Sequence, residues 1–154
     1  MKAIKYTFGE FRIESLRDNT TPPIECSTPD LLADYWQTQI TTSAAYQPDK
    51  ELLVVVLFNP RMQAIGWHLV SMGTLNETCA APREVLRPVL IGAGYAFALM
   101  HNHPSGDPTP SDADHRFTRR IREASAILNL PLIDHVIIGD GTTRKFSFKE
   151  SGLI

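Results

Sequence analysis

Tyr95-Ala-Phe-Ala-Leu-Met100-His101-Asn-His103, running on through Pro104-Ser-Gly-Asp-Pro-Thr-Pro110 into Ser111-Asp-Ala-Asp114, decides how this chain folds and suggests its chemistry. Its first six residues form an apolar run that reads as a buried strand. Side chains alternate across a strand, so His101 and His103 leave its end on one face. The Pro- and Gly-rich segment that follows can continue neither strand nor helix. Ser111 then starts a helix that carries Asp114 back over the strand end. Two neutral imidazoles and one carboxylate suit zinc, and three protein ligands with a fourth position left to water describe a hydrolytic site rather than a structural one. One such set predicts one Zn2+ per chain.

Each part also has a simpler explanation. Ser111 and Asp114 fit a capping pair, in which the serine caps the helix and the acid complements its dipole. An isolated H-x-H is often accidental. The parts become specific jointly, because capping does not require two histidines upstream, and capping and ligation are compatible roles. Asp107, Asp112 and His115 are alternative ligands by composition.

Outward from this stretch the elements follow in order. Ala3 to Leu16 alternates loosely around Gly9 and reads as a short strand pair or one bent edge strand. A turn-rich linker, Asp18 to Pro23, leads to Thr28-Pro29-Asp30, which gives an N-cap, a first-turn proline and a first-turn acid for a helix through about Ile40, with Trp36 inward. Residues 1–27 are thus an appendage and linker, and 28–154 the main domain. Glu51 opens Leu52-Leu-Val-Val-Val-Leu-Phe58, a central strand buried on both faces. Asn59-Pro60-Arg61 turns to a partner strand, about Ala64 to Ser71. Pro82 to Ile91 is a helix followed by Gly92 and Gly94. The motif helix runs from Ser111 to about Asn129, followed by strands at Leu132 to Ile138 and Thr143 to Phe148. This order predicts a single α/β domain with a mixed central sheet flanked by helices.

At 154 residues, 43% of them hydrophobic, the chain has ample material for one packed core. A net charge of -2 and a pI near 6.2 exclude bulk attraction to nucleic acid or anionic membrane. The longest apolar run, Leu52 to Phe58, is far below the roughly 18 residues of a membrane span. Cys26 and Cys79 are isolated and no apolar leader precedes them, so free thiols and a cytoplasmic setting are expected. Arg116, Arg119 and Arg120, with Arg122, form the one concentrated basic patch, either a solvated helix face or a surface for phosphate or acidic peptide. His68 and His135 read as packing or strand-end residues, although His135 beside Asp134 is placed to support a metal shell.

The spacing His101-x-His103, seven residues, Ser111-x-x-Asp114 resembles the signature of the JAMM (JAB/MPN+) metalloproteases. The flanking text Met100-His-Asn-His-Pro-Ser-Gly-Asp107, Asp134-His-Val-Ile-Ile-Gly139 and Phe146-Ser-Phe-Lys-Glu-Ser-Gly152 resembles the RadC branch, as do Gly73-Thr-Leu-Asn76 and Pro82-Arg-Glu-Val85. The resemblance spans about Thr28 to Ile154. It implies the JAMM/MPN fold, which is cytidine-deaminase-like, and zinc held by His101, His103 and Asp114. It also implies a metallopeptidase or isopeptidase acting on a peptide or protein substrate. A metal-activated water needs a base, and the text around Glu51 resembles the segment where the family keeps its catalytic Glu; Glu77 and Glu84 are the alternatives. Ser111 would by resemblance donate to the water or to a developing oxyanion. Fuller RadC proteins carry a helix-hairpin-helix module, for which residues 1–27 are too short and too strand-like. The competing reading is a DNA-repair-associated module that binds DNA or protein, or a nuclease, with a retained zinc site. A peptidase needs a cleft, whose walls are expected at the Pro104 to Pro110 loop and the edge near Ser71 to Asn76.

Overall fold

The computed structural model describes residues 21–73 and 80–154, together with the backbone of two strands nearer the N-terminus. Glu77, Cys79 and residues 74–76 of the expected cleft wall lie outside the described residues. The two early strands, β1 (Lys2–Thr7) and β2 (Glu10–Ser15), pair antiparallel as a sheet of their own.

The continuous apolar runs become the middle of a six-stranded mixed sheet. Its strands are β3 (Ile24–Glu25), β4 (Glu51–Phe58), β5 (Gln63–Gly73), β6 (Ala96–His103), β7 (Leu132–Gly139) and β8 (Lys145–Ser147). They lie in the order β3-β5-β4-β6-β7-β8, with β6 and β7 parallel and the other neighbours antiparallel. Every residue of β4 is buried, and so is β6 from Ala96 to Asn102, because helices cover both sheet faces and leave no polar side to alternate with.

Helix α1 (Pro29–Tyr35) packs on one face, where Leu32 and Trp36 meet Val54, Val56, Met100 and Val136. Helices α2 (Pro82–Ile91) and α3 (Asp112–Ile127) cover the other, where Val85, Val89 and Ile121 meet Leu53, Val55, Phe97 and Leu99. Cys26 is buried on the α1 side, and burial pushes its thiol up to about 11.

Local departures from the sequence reading have physical causes. Thr28 caps α1 as expected, accepting from Leu31 N at 3.3 Å, but the α-helix stops at Tyr35 and Trp36–Ile40 forms a π-helical turn. Thr38, Thr41 and Thr42 each bond back to the carbonyl four residues earlier, a habit that bends helices. Trp36 is fully buried at that turn. Residues 24–25, expected outside the main domain, form the edge strand β3 by pairing with Ala64 and Gln63. The last strand is shorter than expected, Lys145–Ser147. No helix among the described residues is long and apolar enough to cross a membrane.

Candidate metal centre

β6 brings His101 and His103 to the α3 face of the sheet, as its pleat requires. β4 lies beside it with Leu53 opposite His101, so Glu51, two residues earlier, projects to the same face. α3 supplies Asp114 from its first turn. Ligand atoms of Glu51, His101, His103 and Asp114 all lie within 4.8 Å of one another, so three distant segments meet at one point. Nε2 of His101 is 3.0 Å from Nε2 of His103, 3.3 Å from Asp114 Oδ1 and 3.9 Å from Glu51 Oε1. His103 Nε2 is 3.7 Å from Asp114 Oδ2.

These separations fit a cation. Ligands about 2.05 Å from a tetrahedral zinc stand about 3.3 Å from each other, close to the observed spacings. His103 Nδ1 is 2.7 Å from the carbonyl oxygen of Asp107, which accepts only, so the ring proton sits on Nδ1 and the Nε2 lone pair faces the cluster. Asp114 divides its two oxygens. Oδ2 accepts from Ser111 N and Ser111 Oγ, each at 2.7 Å, and Oδ1 is left toward His101. Burial opposes the charge on Asp114, but its close contact with His101 and the bonds from Ser111 outweigh it and hold the carboxyl well below its usual range. Glu51 is 8% exposed, so its carboxylate is largely withdrawn from solvent beside the cluster.

Capping at Ser111 and Asp114 is compatible with a ligand role: Asp114 N donates back to Ser111 Oγ at 3.2 Å, closing a reciprocal cap at the start of α3 and leaving Oδ1 toward the cluster. Ser111 has one hydroxyl proton, and here it goes to Asp114 Oδ2. The alternative ligands stand apart from the cluster. Asp107 Oδ1 accepts from the backbone and hydroxyl of Thr109, Asp112 is exposed, and the His115 ring meets Phe148 at 5.3 Å. Glu84, an alternative base, accepts from Ala81 N at 2.9 Å and caps α2.

A sequence profile described as RadC-like JAB domain matches residues 26–153, which include every member of this cluster. The chain belongs to that family. Among relatives, a "UPF0758 protein" of Trichlorobacter lovleyi is 46% identical over 105 residues, covering 68% of this chain and 45% of the relative. A "UPF0758 protein" of Pelodictyon phaeoclathratiforme is 46% identical over 105 residues, covering 68% of this chain and 46% of the relative. "UPF0758 protein GSU0386" of Geobacter sulfurreducens is 42% identical over 105 residues, with shares of 68% and 45%. The chain spans about half the length of the curated relatives it matches. The six-stranded mixed sheet with its helices is the JAB/MPN fold in a single small domain.

Three residues around this RadC-like centre have roles that composition does not expose. His135 is fully buried in mid-strand, stacked on Phe148 as a packing residue, and its Nε2 is also 2.8 Å from His101 Nδ1. Burial, with His101 close by, pushes it well below the usual histidine range and keeps it neutral. Its expected side-chain pairing with Asp134 does not form, since neighbours on a strand face opposite ways; Asp134 bonds Ser147 Oγ at 2.7 Å and Lys149 N at 3.0 Å. The ring partner is Thr118, whose Oγ1 is 2.6 Å from His135 Nδ1. Asn102, between the two histidines, faces the α1 side. Its Oδ1 accepts from Leu52 N at 2.7 Å and its Nδ2 donates to Lys50 O at 2.9 Å, so it holds the backbone on both sides of Glu51. Nδ2 also donates to Asp140, which accepts from Tyr46 Oη at 3.0 Å. A polar residue whose side chain leaves a buried strand on the face opposite the two histidines is the signal the sequence offers for Asn102. His68, by contrast, is exposed in mid-strand on β5.

Proposed function

We propose that this RadC-like JAB domain is a zinc-dependent hydrolase that cleaves an amide bond, as a metallopeptidase or isopeptidase. One observation carries the reading: two imidazole nitrogens and a carboxylate oxygen converge at ligand spacing, with a second, buried carboxylate beside them. His101 and His103 offer Nε2 and Asp114 offers Oδ1. Zinc held there would polarise a scissile carbonyl and lower the pKa of a water to about 7. Glu51, buried beside the three ligand atoms, would take a proton from a water there and pass it to the leaving nitrogen. Ser111 serves an oxyanion by turning its hydroxyl away from Asp114, whose Oδ2 keeps the Ser111 N–H.

A peptide or protein substrate suits the surroundings. Beyond Ala64, no described strand pairs with the outer edge of β5, and that edge runs to Gly73, which lies opposite Glu51. An extended chain added there as a strand reaches the centre. The opposite wall, the Pro104 to Pro110 loop, is tied down by Arg144 Nη2 donating to Gly106 O at 2.7 Å. The test is elemental analysis together with cleavage of a peptide library before and after chelation. About one zinc per chain and chelator-sensitive peptide cleavage support the reading; protein without stoichiometric metal overturns it.

The second reading, a DNA- or partner-binding module with retained zinc, or a nuclease, has one observation in its favour. Arg116, Arg119, Arg120 and Arg122 are all exposed on α3. The net charge of -2 opposes it, and contacts of this kind weaken steeply with salt. DNA binding that persists at about 200 mM salt, or chelator-sensitive DNA cleavage without peptide cleavage, selects this reading over the first.

A further inference from the structure

We propose that Thr118 and His135 are positioning residues that fix the tautomer of His101, so that its Nε2 carries no proton and faces Glu51, His103 and Asp114. The argument is a count of hydrogens. Thr118 has one hydroxyl proton, and its Oγ1 is 2.7 Å from the main-chain oxygen of Asp114, which accepts only. That contact uses the proton. At its other contact, 2.6 Å from His135 Nδ1, the hydroxyl oxygen therefore accepts, and His135 carries its proton on Nδ1. His135 is fully enclosed, and among the described residues no carboxylate hydrogen-bonds to its ring, so it holds one ring proton and not two. Its Nε2 is then an acceptor. At 2.8 Å it takes the Nδ1–H of His101, which leaves Nε2 of His101 as a bare lone pair 3.3 Å from Asp114 Oδ1.

The chain of contacts closes on itself, its last step a bare nitrogen facing a carboxylate oxygen and not a hydrogen bond. It starts at the main chain of Asp114 and returns, through Thr118, His135 and His101, to the side chain of Asp114. β6, β7 and α3 are thereby keyed together at the point where the ligand atoms meet. His103 reaches the same tautomer separately, through Asp107 O. A ligand histidine commonly donates its second nitrogen to a carboxylate, a carbonyl or water. An imidazole is ambiguous in that place because it can donate as readily as accept, and Thr118 is the group that removes the ambiguity. If the chain ran the other way, His135 would donate from Nε2 and His101 would carry its proton on Nε2, where it cannot ligate.

The purpose of this relay rests on the metal-site reading; its test does not. The experiment is long-range proton–nitrogen correlation of the imidazole rings in 15N-labelled protein freed of metal with a chelator, paired with zinc affinity measured against a chromophoric chelator. Wild-type protein should show His101 protonated on Nδ1. Thr118→Val preserves shape but leaves the Nδ1–H of His135 without an acceptor, a state buried N–H groups avoid. His135 should then protonate on Nε2 and push the His101 proton onto its own Nε2, with zinc binding weakened about 10- to 100-fold. Thr118→Ser, which restores the hydroxyl, should recover both the tautomer and the affinity. His101 protonated on Nε2 in the wild type overturns the relay, as does a Thr118→Val protein with wild-type tautomers and zinc affinity. Wild-type protein that takes up no zinc yet protonates His101 on Nδ1 sinks the metal reading and leaves the relay standing.

Discussion

On the α3 face of β6, His101 is held ring to ring by His135, which Thr118 holds in turn; on the α1 face, Asn102 holds nothing but main chain and Asp140. Both networks are buried at the same end of the same strand, yet they control different things. The first sets which nitrogen of a candidate ligand is bare. The second replaces the end of the β4–β6 ladder, whose register stops at Leu53 and His101, and so fixes the strand end that carries Glu51. Placing a polar group on each face of a buried strand costs free energy unless every donor and acceptor is paired, and here the pairing partners are the parts that need to be positioned. On the proposed reading, ligand chemistry and base placement are tuned from opposite sides of the sheet.

That separation is open to attack by substitution. The largest effect is expected from His101→Ala, His103→Ala or Asp114→Ala, which should abolish stoichiometric zinc and all zinc-dependent hydrolysis; elemental analysis reads the first and peptide cleavage the second. Next, Glu51→Gln should keep zinc and fold while losing roughly 10²- to 10⁴-fold in turnover. Normal turnover in that variant moves the base elsewhere. Asn102→Ala should keep zinc but lower turnover up to about 100-fold, the scale for misplacing a reacting group by about 1 Å. It should also lose roughly 1–3 kcal/mol of stability, measured by denaturant unfolding, as Leu52 N and Lys50 O lose their partner. Loss of zinc in the Asn102→Ala protein would break the comparison, because the two faces would not be independent.

The smallest effect on chemistry is expected at the loop. A β-carbon at Gly139 would press into Gly106 O, so Gly139→Ala must shift the loop that Arg144 anchors. It should cost about 1–3 kcal/mol in stability, with zinc content unchanged and turnover within about tenfold of wild type.

The sequence made the core legible where one element is self-sufficient. β4 and β6 are unbroken apolar runs, α2 begins with Pro82, and α3 begins with a capping pair, so each announces itself locally. β3 is two residues long and exists through its pairing with β5, and the π-helical turn depends on where threonine side chains bond back; neither leaves a periodic pattern. The candidate site divides in the same way. His101, His103 and Asp114 share one stretch and could be read together. Asn102 acts on Leu52, 50 residues away, and Thr118 on His135, 17 residues away, so their roles appear once the sheet is assembled. The contact between Ser111 Oγ and Asp114 Oδ2 is local, but which atom takes the hydroxyl proton was not legible in the spacing.

Zinc-edge X-ray absorption on purified protein tests the central claim most directly, because it reports the identity of the atoms bound. The account predicts about one zinc per chain with two imidazole nitrogens and oxygen ligands at about 2.0–2.2 Å, and loss of the imidazole signal in the His101→Ala, His103→Ala double variant. Sulfur at about 2.3 Å would contradict it, as would zinc that the double variant retains with its imidazole scattering intact.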